Sequence, residues 1–277
     1  MIGERMTGEL REPTGRDADH HLLQIASRFV DARRTATALT DYPGTPPAGL
    51  SDAYAVQDAA ISMRAGAIIG WKVGRINPPV DDVDRLAGPI FDSVLAGSSN
   101  HMVAMPVFAG GFAAAEAEFL LRIGTAPDPA KRHYTIAEAT ALIDTVHVGI
   151  EIASSPFGGI NDHGAGVTIS DFGNNNGLVI GPTIDGWEGS NLLAWPVELT
   201  INGTLIGAGM AATMLDGPFG AARFLFELMA ERGIALTAGQ WISSGAVTGV
   251  HPVAVGDHVV ARFDSRLTVA CTIKAEG

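Results

Sequence analysis

An apolar run, Ala114-Ala115-Glu116-Ala117-Glu118-Phe119-Leu120-Leu121, carries two carboxylates two positions apart. No other stretch limits the fold as tightly. Read as a β-strand, the run puts Glu116 and Glu118 on one face, because side chains alternate along a strand. Two like charges there repel each other and lose hydration. A cation between them removes both penalties, and a hard divalent ion such as Mg2+ suits oxygen ligands. The competing reading is a solvated strand face, or an alanine-rich helical turn with two surface glutamates. The pair alone does not separate these readings.

The chain has 277 residues, enough for one large domain or a core domain with a small appendage. Its 34 glycines and 15 prolines point to a strand- and loop-rich fold rather than a helical bundle. The net charge of −12, with no basic stripe, argues against a nucleic-acid partner. The one cysteine, Cys271, leaves no intrachain disulfide and fits a reducing compartment, with a small core residue as its role. No run approaches the length of a membrane span, and residues 1–21 carry charges rather than an apolar signal core. The expectation is a cytoplasmic protein without a membrane partner.

Residues 1–17 read as a polar, frayed lead. Leu22, Ile25, Ala26, Phe29 and Val30 then share one helical face, with Asp17 or Asp19 as cap. Residues 41–50 read as a loop, and Ser51 as the cap of a helix over 52–64. A helical lead, 1–66, is therefore separated from a catalytic domain, 67–277. Residues 67–74 read as a buried strand, 75–89 as a loop rich in proline and acid, and 90–95 as a short strand carrying Asp92. Thr135 and Glu138 form a capping-box pattern. Residues 146–152 read as a strand with His147, Gly149 and Glu151 on one face. Residues 167–170 and 178–180 read as strands around the loop 171–177. Asn202-Gly203 marks a hairpin, residues 218–232 a helix closed by Gly233, and 258–263 with 267–273 two final strands. Regular β-α alternation is missing, so the fold class is α+β, a mixed and mostly antiparallel core.

Familiar catalytic motifs are largely missing. Gly164-x-Gly166 and Gly207-x-Gly209 lack the third glycine and following helix of a dinucleotide site. Ser243-Ser244-Gly245 has no nucleophile-elbow context, and the eight histidines show no metal-ligand spacing. His147 reads as a core histidine that can also orient Glu151. Lys72 stands out, because lysine is rarely buried without a partner and its flanks are apolar. Beside a cation and partly desolvated, it would have a lowered pKa and exchange protons near neutrality. The alternative is a buried stem with its head in water.

Several segments in order resemble one family. They are Gly70-Trp71-Lys72-Val73-Gly74, Ala87-Gly88-Pro89-Ile90-Phe91-Asp92, Glu116-Ala117-Glu118, Gly149-Ile150-Glu151-Ile152, and Asp171-Phe172-Gly173-Asn174-Asn175 with the following Gly177-Leu178-Val179-Ile180-Gly181. This set is similar to the 2-keto-4-pentenoate hydratase / 2-oxo-3-hexenedioate decarboxylase family, within the fumarylacetoacetate hydrolase superfamily. The similarity runs from about Ser51 to the C-terminus and takes in Ser244-Gly245. It implies a β-roll of the fumarylacetoacetate-hydrolase type with a small helical lead. It also implies a divalent ion, Mg2+ or Mn2+, held by Glu116, Glu118 and Glu151, with Lys72 as catalytic lysine. The family's catalytic aspartate corresponds to Asp92, with Asp84 as runner-up. Arg75, Asn175 and Ser244 are expected to bind substrate. The sequence departs from the family after the lysine, where Arg75-Ile76-Asn77-Pro78-Pro79 stands, and this puts substrate identity in doubt.

The resemblance implies a hydro-lyase that adds water to a 2-hydroxy-2,4-dienoate and yields a 4-hydroxy-2-oxo acid. Its partners would be a small 2-oxo acid and further copies of itself in a homo-oligomer. Decarboxylation of a 2-oxo-3-enedioate and C–C hydrolysis of an acylpyruvate follow the same enolate logic. A non-catalytic partner subunit with the same fold is the reading from outside enzymology. Arg75 separates the substrates: lining the cavity it favours a diacid, and pointing away it favours a short mono-acid.

Overall fold

The computed structural model describes residues 15–97 and 102–277, with side chains from residue 20 onward. The frayed lead read over 1–17 falls almost wholly outside them. Five helices are described: α1 (Gly15–Arg34), α2 (Leu50–Met63), α3 (Ile136–Thr140), α4 (Ala165–Ser170) and α5 (Gly217–Arg232). The strands in chain order are β1 (Ile68–Val80), β2 (Val83–Phe91), β3 (Leu95–Gly97), β4 (Val103–Val107), β5 (Phe112–Ile123), β6 (Ile143–Ser155), β7 (Asn175–Thr183), β8 (Val197–Ile201), β9 (Thr204–Gly209), β10 (Trp241–Ser243), β11 (His251–Pro252), β12 (His258–Phe263) and β13 (Leu267–Ala275). They form an 8-stranded sheet, β2-β1-β10-β5-β6-β7-β3 with β11 against β5, and a 5-stranded sheet, β4-β13-β12-β8-β9. Only β1–β10, β13–β4 and β3–β7 pair in parallel, so the mixed, mostly antiparallel α+β expectation holds.

The main core lies between the sheets and under α5, from Phe119, Val148 and Ile150 to Val259, Phe263 and Leu225. A second cluster joins Ile25, Ala26 and Phe29 of α1 and Val56 and Ala60 of α2 to Phe91, Phe157, Val167 and Phe172. The apolar stripe read on the first helix is the face that packs here. That helix begins at Gly15, ahead of both proposed caps. The second begins at Leu50, so Ser51 lies inside it and Gly49 is the N-cap. Among the described residues no helix is long and apolar enough to cross a membrane, which says nothing of strands that might do so.

Three readings of local structure are overturned. The short strand read over 90–95 is broken by the 3-10 turn Asp92–Val94 between β2 and β3. Residues 75–89 are not a loop: β1 continues to Val80, turns at Asp81-Asp82 with positive φ at both, and returns as β2. β2 is an edge strand, so Pro89 costs no ladder bond on its open side, and Pro78-Pro79 sit in the register gap between Arg75↔Arg85 and Val80↔Val83. Residues 167–170 are helical rather than extended, because a short apolar run buried all round has no period to identify it. The capping box at Thr135, the Asn202-Gly203 hairpin and the left-handed Gly233 cap are found as read.

Candidate metal and active site

β5 and β6 are long antiparallel partners in the middle of the larger sheet. Their register sets Glu116 directly opposite Glu151 and Glu118 opposite Gly149. Period-two alternation then gathers all three carboxylates on one face, with one oxygen of each within 4.8 Å of the others. All are buried: Glu118 and Glu151 are 0% exposed and Glu116 5%. β1 brings Lys72, also 5% exposed, and its Nζ lies 3.5 Å from Glu151 Oε1.

Glu118 and Glu151 each have one oxygen fixed by a hydrogen bond from the protein. Glu118 Oε2 accepts from Ser243 Oγ at 2.5 Å and from the Gly245 N–H at 3.0 Å. Glu151 Oε1 accepts from Asn175 Nδ2 at 2.9 Å. Glu118 Oε1 and Glu151 Oε2 are buried and make no hydrogen bond. A buried oxygen without a donor is costly, and a cation is the partner that an anionic oxygen cluster accepts. Three ionised carboxylates against one ammonium leave a charge of minus two, which one divalent ion cancels. By donor type, spacing and charge, the residues fit a hard divalent cation.

The electrostatics agree. Burial pushes Glu116 up to about 7, with Lys72 opposing and Glu151 adding to the rise. Burial, then Glu151 and Glu116, hold Glu118 well above the usual carboxylate range. For Lys72, burial pulls down, but Glu151, Glu116 and Glu118 outweigh it and raise the group. The expected lowering of Lys72 is therefore reversed while the carboxylates face it uncompensated.

Lys72 and Glu116 line a cavity of about 1020 Å³, together with Arg75, Arg85, Asn161, Asn174 and Ser244 among others. Asn174 accepts from Lys72 Nζ at 3.3 Å and donates to Asn161 Oδ1 at 3.1 Å, so it sets the direction of the ammonium. The sequence reading missed Asn174 and Ser243 as individual site residues, although both stand inside motifs it had singled out. Gly88 and Gly173 make this arrangement possible: a Cβ on Gly88 would lie 2.0 Å from the Phe172 carbonyl oxygen, and Gly173 has φ +62 with Lys72 against it.

The remaining expected site residues divide. Arg75 is exposed, lines the cavity and forms no ion pair among the described residues. Ser244 lines the cavity, but its hydroxyl donates to the Phe119 carbonyl at 2.7 Å. Asn175 serves Glu151 and does not line the cavity. Asp92 is not brought to the cavity: it is solvent-exposed and opens the 3-10 turn Asp92–Val94. Lys72 pairs with Gly88, and four further residues of extended chain carry Asp92 roughly 13 Å past that level. Asp84 bridges Arg85 at 3.1 Å and does not line the cavity either.

A mixed β-roll with a buried three-glutamate centre and a facing lysine defines a protein of the fumarylacetoacetate-hydrolase fold. Comparison with known proteins agrees and bears out the resemblance read from the sequence. The chain is 27% identical to 2-hydroxyhexa-2,4-dienoate hydratase of Comamonas testosteroni over 83% of its own length and 86% of that enzyme. It is 27% identical to 4-oxalocrotonate decarboxylase of Pseudomonas putida, over 46% of this chain and 48% of the relative, so it spans about half the length of that enzyme. The solved 4-oxalocrotonate decarboxylase from Pseudomonas putida G7, complexed with magnesium and adipate, superposes with a TM-score of 0.78 at 21% identity, over 95% of this chain and 100% of that one. No family model matches the chain.

Proposed function

We propose that this chain is a divalent-metal-dependent lyase acting on a small 2-oxo or 2-hydroxydienoic acid. The observation that carries this reading is the convergence of Glu116, Glu118 and Glu151, each buried, beside Lys72. Glu116, Glu118 and Glu151 would hold Mg2+ or Mn2+. When bound, such an ion supplies Lewis-acid polarisation of the substrate's 2-oxygen and carboxylate. Were an ion to neutralise the carboxylates that now raise Lys72, burial would be the remaining influence and would pull the group down, toward proton exchange at Nζ near neutrality. Asn174 holds Nζ over the cavity during that exchange.

Two reactions suit this site. Hydration of a 2-hydroxy-2,4-dienoate is supported by the long alignment with the dienoate hydratase. In that reaction Lys72 moves the proton that makes the conjugated 2-oxo-3-enoate, and water adds at C4. Decarboxylation of a 2-oxo-3-enedioate is favoured by the cavity itself. Arg75 stands in the wall as a guanidinium with no carboxylate partner among the described residues, suited to a second substrate carboxylate. Among the described residues the titratable side chains lining the cavity are Lys72, Arg75, Arg85 and Glu116, so none of the described aspartates stands ready as base for an attacking water. Loss of CO2 from the enedioate needs no such base: the C5–C6 bond breaks and its electron pair moves through the conjugated chain to the 2-oxygen. The cavity therefore weighs toward a diacid.

The test offers 2-hydroxypenta-2,4-dienoate and 2-oxo-3-hexenedioate separately with Mg2+ and follows product and CO2. CO2 from the diacid alone identifies a decarboxylase, and water addition identifies a hydratase. Metal binding without turnover of either acid would overturn the enzymatic reading and leave a non-catalytic partner subunit.

A further inference from the structure

The segment between α4 and β7 has an unusual backbone; it carries Asn174 and leads directly into Asn175, the first residue of β7. Phe172, Gly173 and Asn174 have φ of 56, 62 and 58, three consecutive left-handed residues, of which Phe172 has a side chain that disfavours the region. Such a conformation persists only where its surroundings over-determine it. The determining group comes from the other end of the chain. Arg33, in the last turn of α1, is 6% exposed and pairs with the fully buried Asp171: Nε to Oδ1 at 2.5 Å and Nη2 to Oδ2 at 2.9 Å. Its Nη1 also donates to the Asn175 carbonyl at 3.2 Å and to Asn176 Oδ1 at 3.0 Å, and Nη2 to the Ser154 carbonyl at 3.1 Å. The five N–H donors of the guanidinium are thus all engaged, and they clasp both ends of the left-handed turn.

We infer that Arg33 is a positioning residue for the metal centre, which it serves by locking residues 171–176 so that Asn175 orients Glu151 and Asn174 orients Lys72. Asn175 links the two halves: its backbone oxygen accepts from Arg33 and its side-chain amide donates to Glu151. Lysine cannot replace this group, because one ammonium has three donors and no planar fork with which to hold a carboxylate, two backbone carbonyls and an amide at once. The inference rests on the reading that the three glutamates hold a divalent ion.

The experiment measures Mn2+ affinity by electron paramagnetic resonance of free Mn2+, with urea unfolding alongside, on the full chain. The variants are Arg33→Lys, Asn175→Ala, the double variant and Arg34→Lys as a neighbouring control. Arg33→Lys is expected to unfold cooperatively and to bind Mn2+ roughly tenfold or more weakly, the usual effect of removing a group that orients a ligand. The double variant is expected to bind within about twofold of Asn175→Ala, as for two residues acting through one path, and Arg34→Lys to match the unchanged protein. Should Arg33→Lys fail to fold, Asp171→Asn takes its place with the same expected loss. A lowered urea midpoint with Mn2+ affinity within about twofold of the unchanged protein would make Arg33 merely structural and overturn the inference, as would multiplicative losses in the double variant. Failure of the unchanged protein to bind Mn2+ is a separate result, and overturns the metal reading together with the inference built on it.

Discussion

At the scale of single residues, the site is a charge problem with one missing partner. Replacing Lys72 with alanine should lower turnover by roughly 100-fold or more, the usual contribution of a positioned acid–base group, while Mg2+ still raises the melting temperature. Steady-state kinetics and thermal melts of Lys72→Ala check both halves. Glu151→Gln should behave oppositely, because it removes a ligand: the melting-temperature increment given by Mg2+ should vanish. Glu116, together with Glu118 that burial also holds high, gives the increment its pH dependence. The folded value of Glu116, about 7, lies above the ordinary carboxylate value, so the metal-free fold keeps a proton that the unfolded chain releases. That group's contribution to metal-free stability is fully present below the unfolded value and is lost as pH rises through about 7. Mg2+ competes with this proton, so its increment should be small near pH 5.5 and grow through neutrality. A pH-independent increment would contradict the assignment of Glu116 as a ligand.

At the scale of elements, the site depends on how β2 meets the segment between α4 and β7. Gly88 of β2 sits against the Phe172–Gly173 peptide, and any Cβ there collides with backbone rather than with a movable side chain. Gly88→Ala should therefore cost about 1–3 kcal/mol in urea unfolding, the range for overpacking a close contact. It should also reduce turnover, since the displaced segment carries Asn174 and, through it, Lys72. The hairpin β8–β9 offers the contrast. A Cβ on Gly203 meets nothing within 4 Å, so Gly203→Ala there should cost only the strain of its positive φ and leave turnover unchanged.

At the scale of the molecule, β5 and β6 are the axis. They lie inside the larger sheet, supply the three glutamates from one face and send Phe119, Val148 and Ile150 into the main core from the other. Their amides should exchange most slowly, and those of β9, the exposed edge of the smaller sheet, most rapidly among the strands. Hydrogen exchange followed by mass spectrometry checks this order. Mg2+ should slow exchange in β5, β6 and residues 171–176 together, since the proposed ion bridges the first two and Asn175 ties the third to Glu151.

What the sequence determined by itself was whatever short-range chemistry encodes. Alternation along a strand placed Glu116 and Glu118 on one face, the Asn-Gly pair marked its hairpin, and the Thr135–Glu138 spacing marked its cap. Apolar flanks singled out Lys72, and resemblance in ordered motifs added its catalytic role and Glu151 as the third ligand. Only the tertiary structure decided which groups meet. The register of β5 against β6 set Glu116 opposite Glu151, and nothing local to either strand encodes a pairing 35 positions apart along the chain. The proline-rich residues after Lys72 became strands because Pro78-Pro79 fall in the register gap of β1 against β2 and Pro89 lies on the edge strand β2, where a missing N–H is harmless. Asp92 left the site because its strand runs past the level of Lys72, and Asn174 entered it because a left-handed turn aims it there. Arg33, more than a hundred residues from the loop it clasps, had no local signal at all. Its partners are backbone carbonyls, a carboxylate and a side-chain amide oxygen brought together only when α1 docks on the cluster around Phe172.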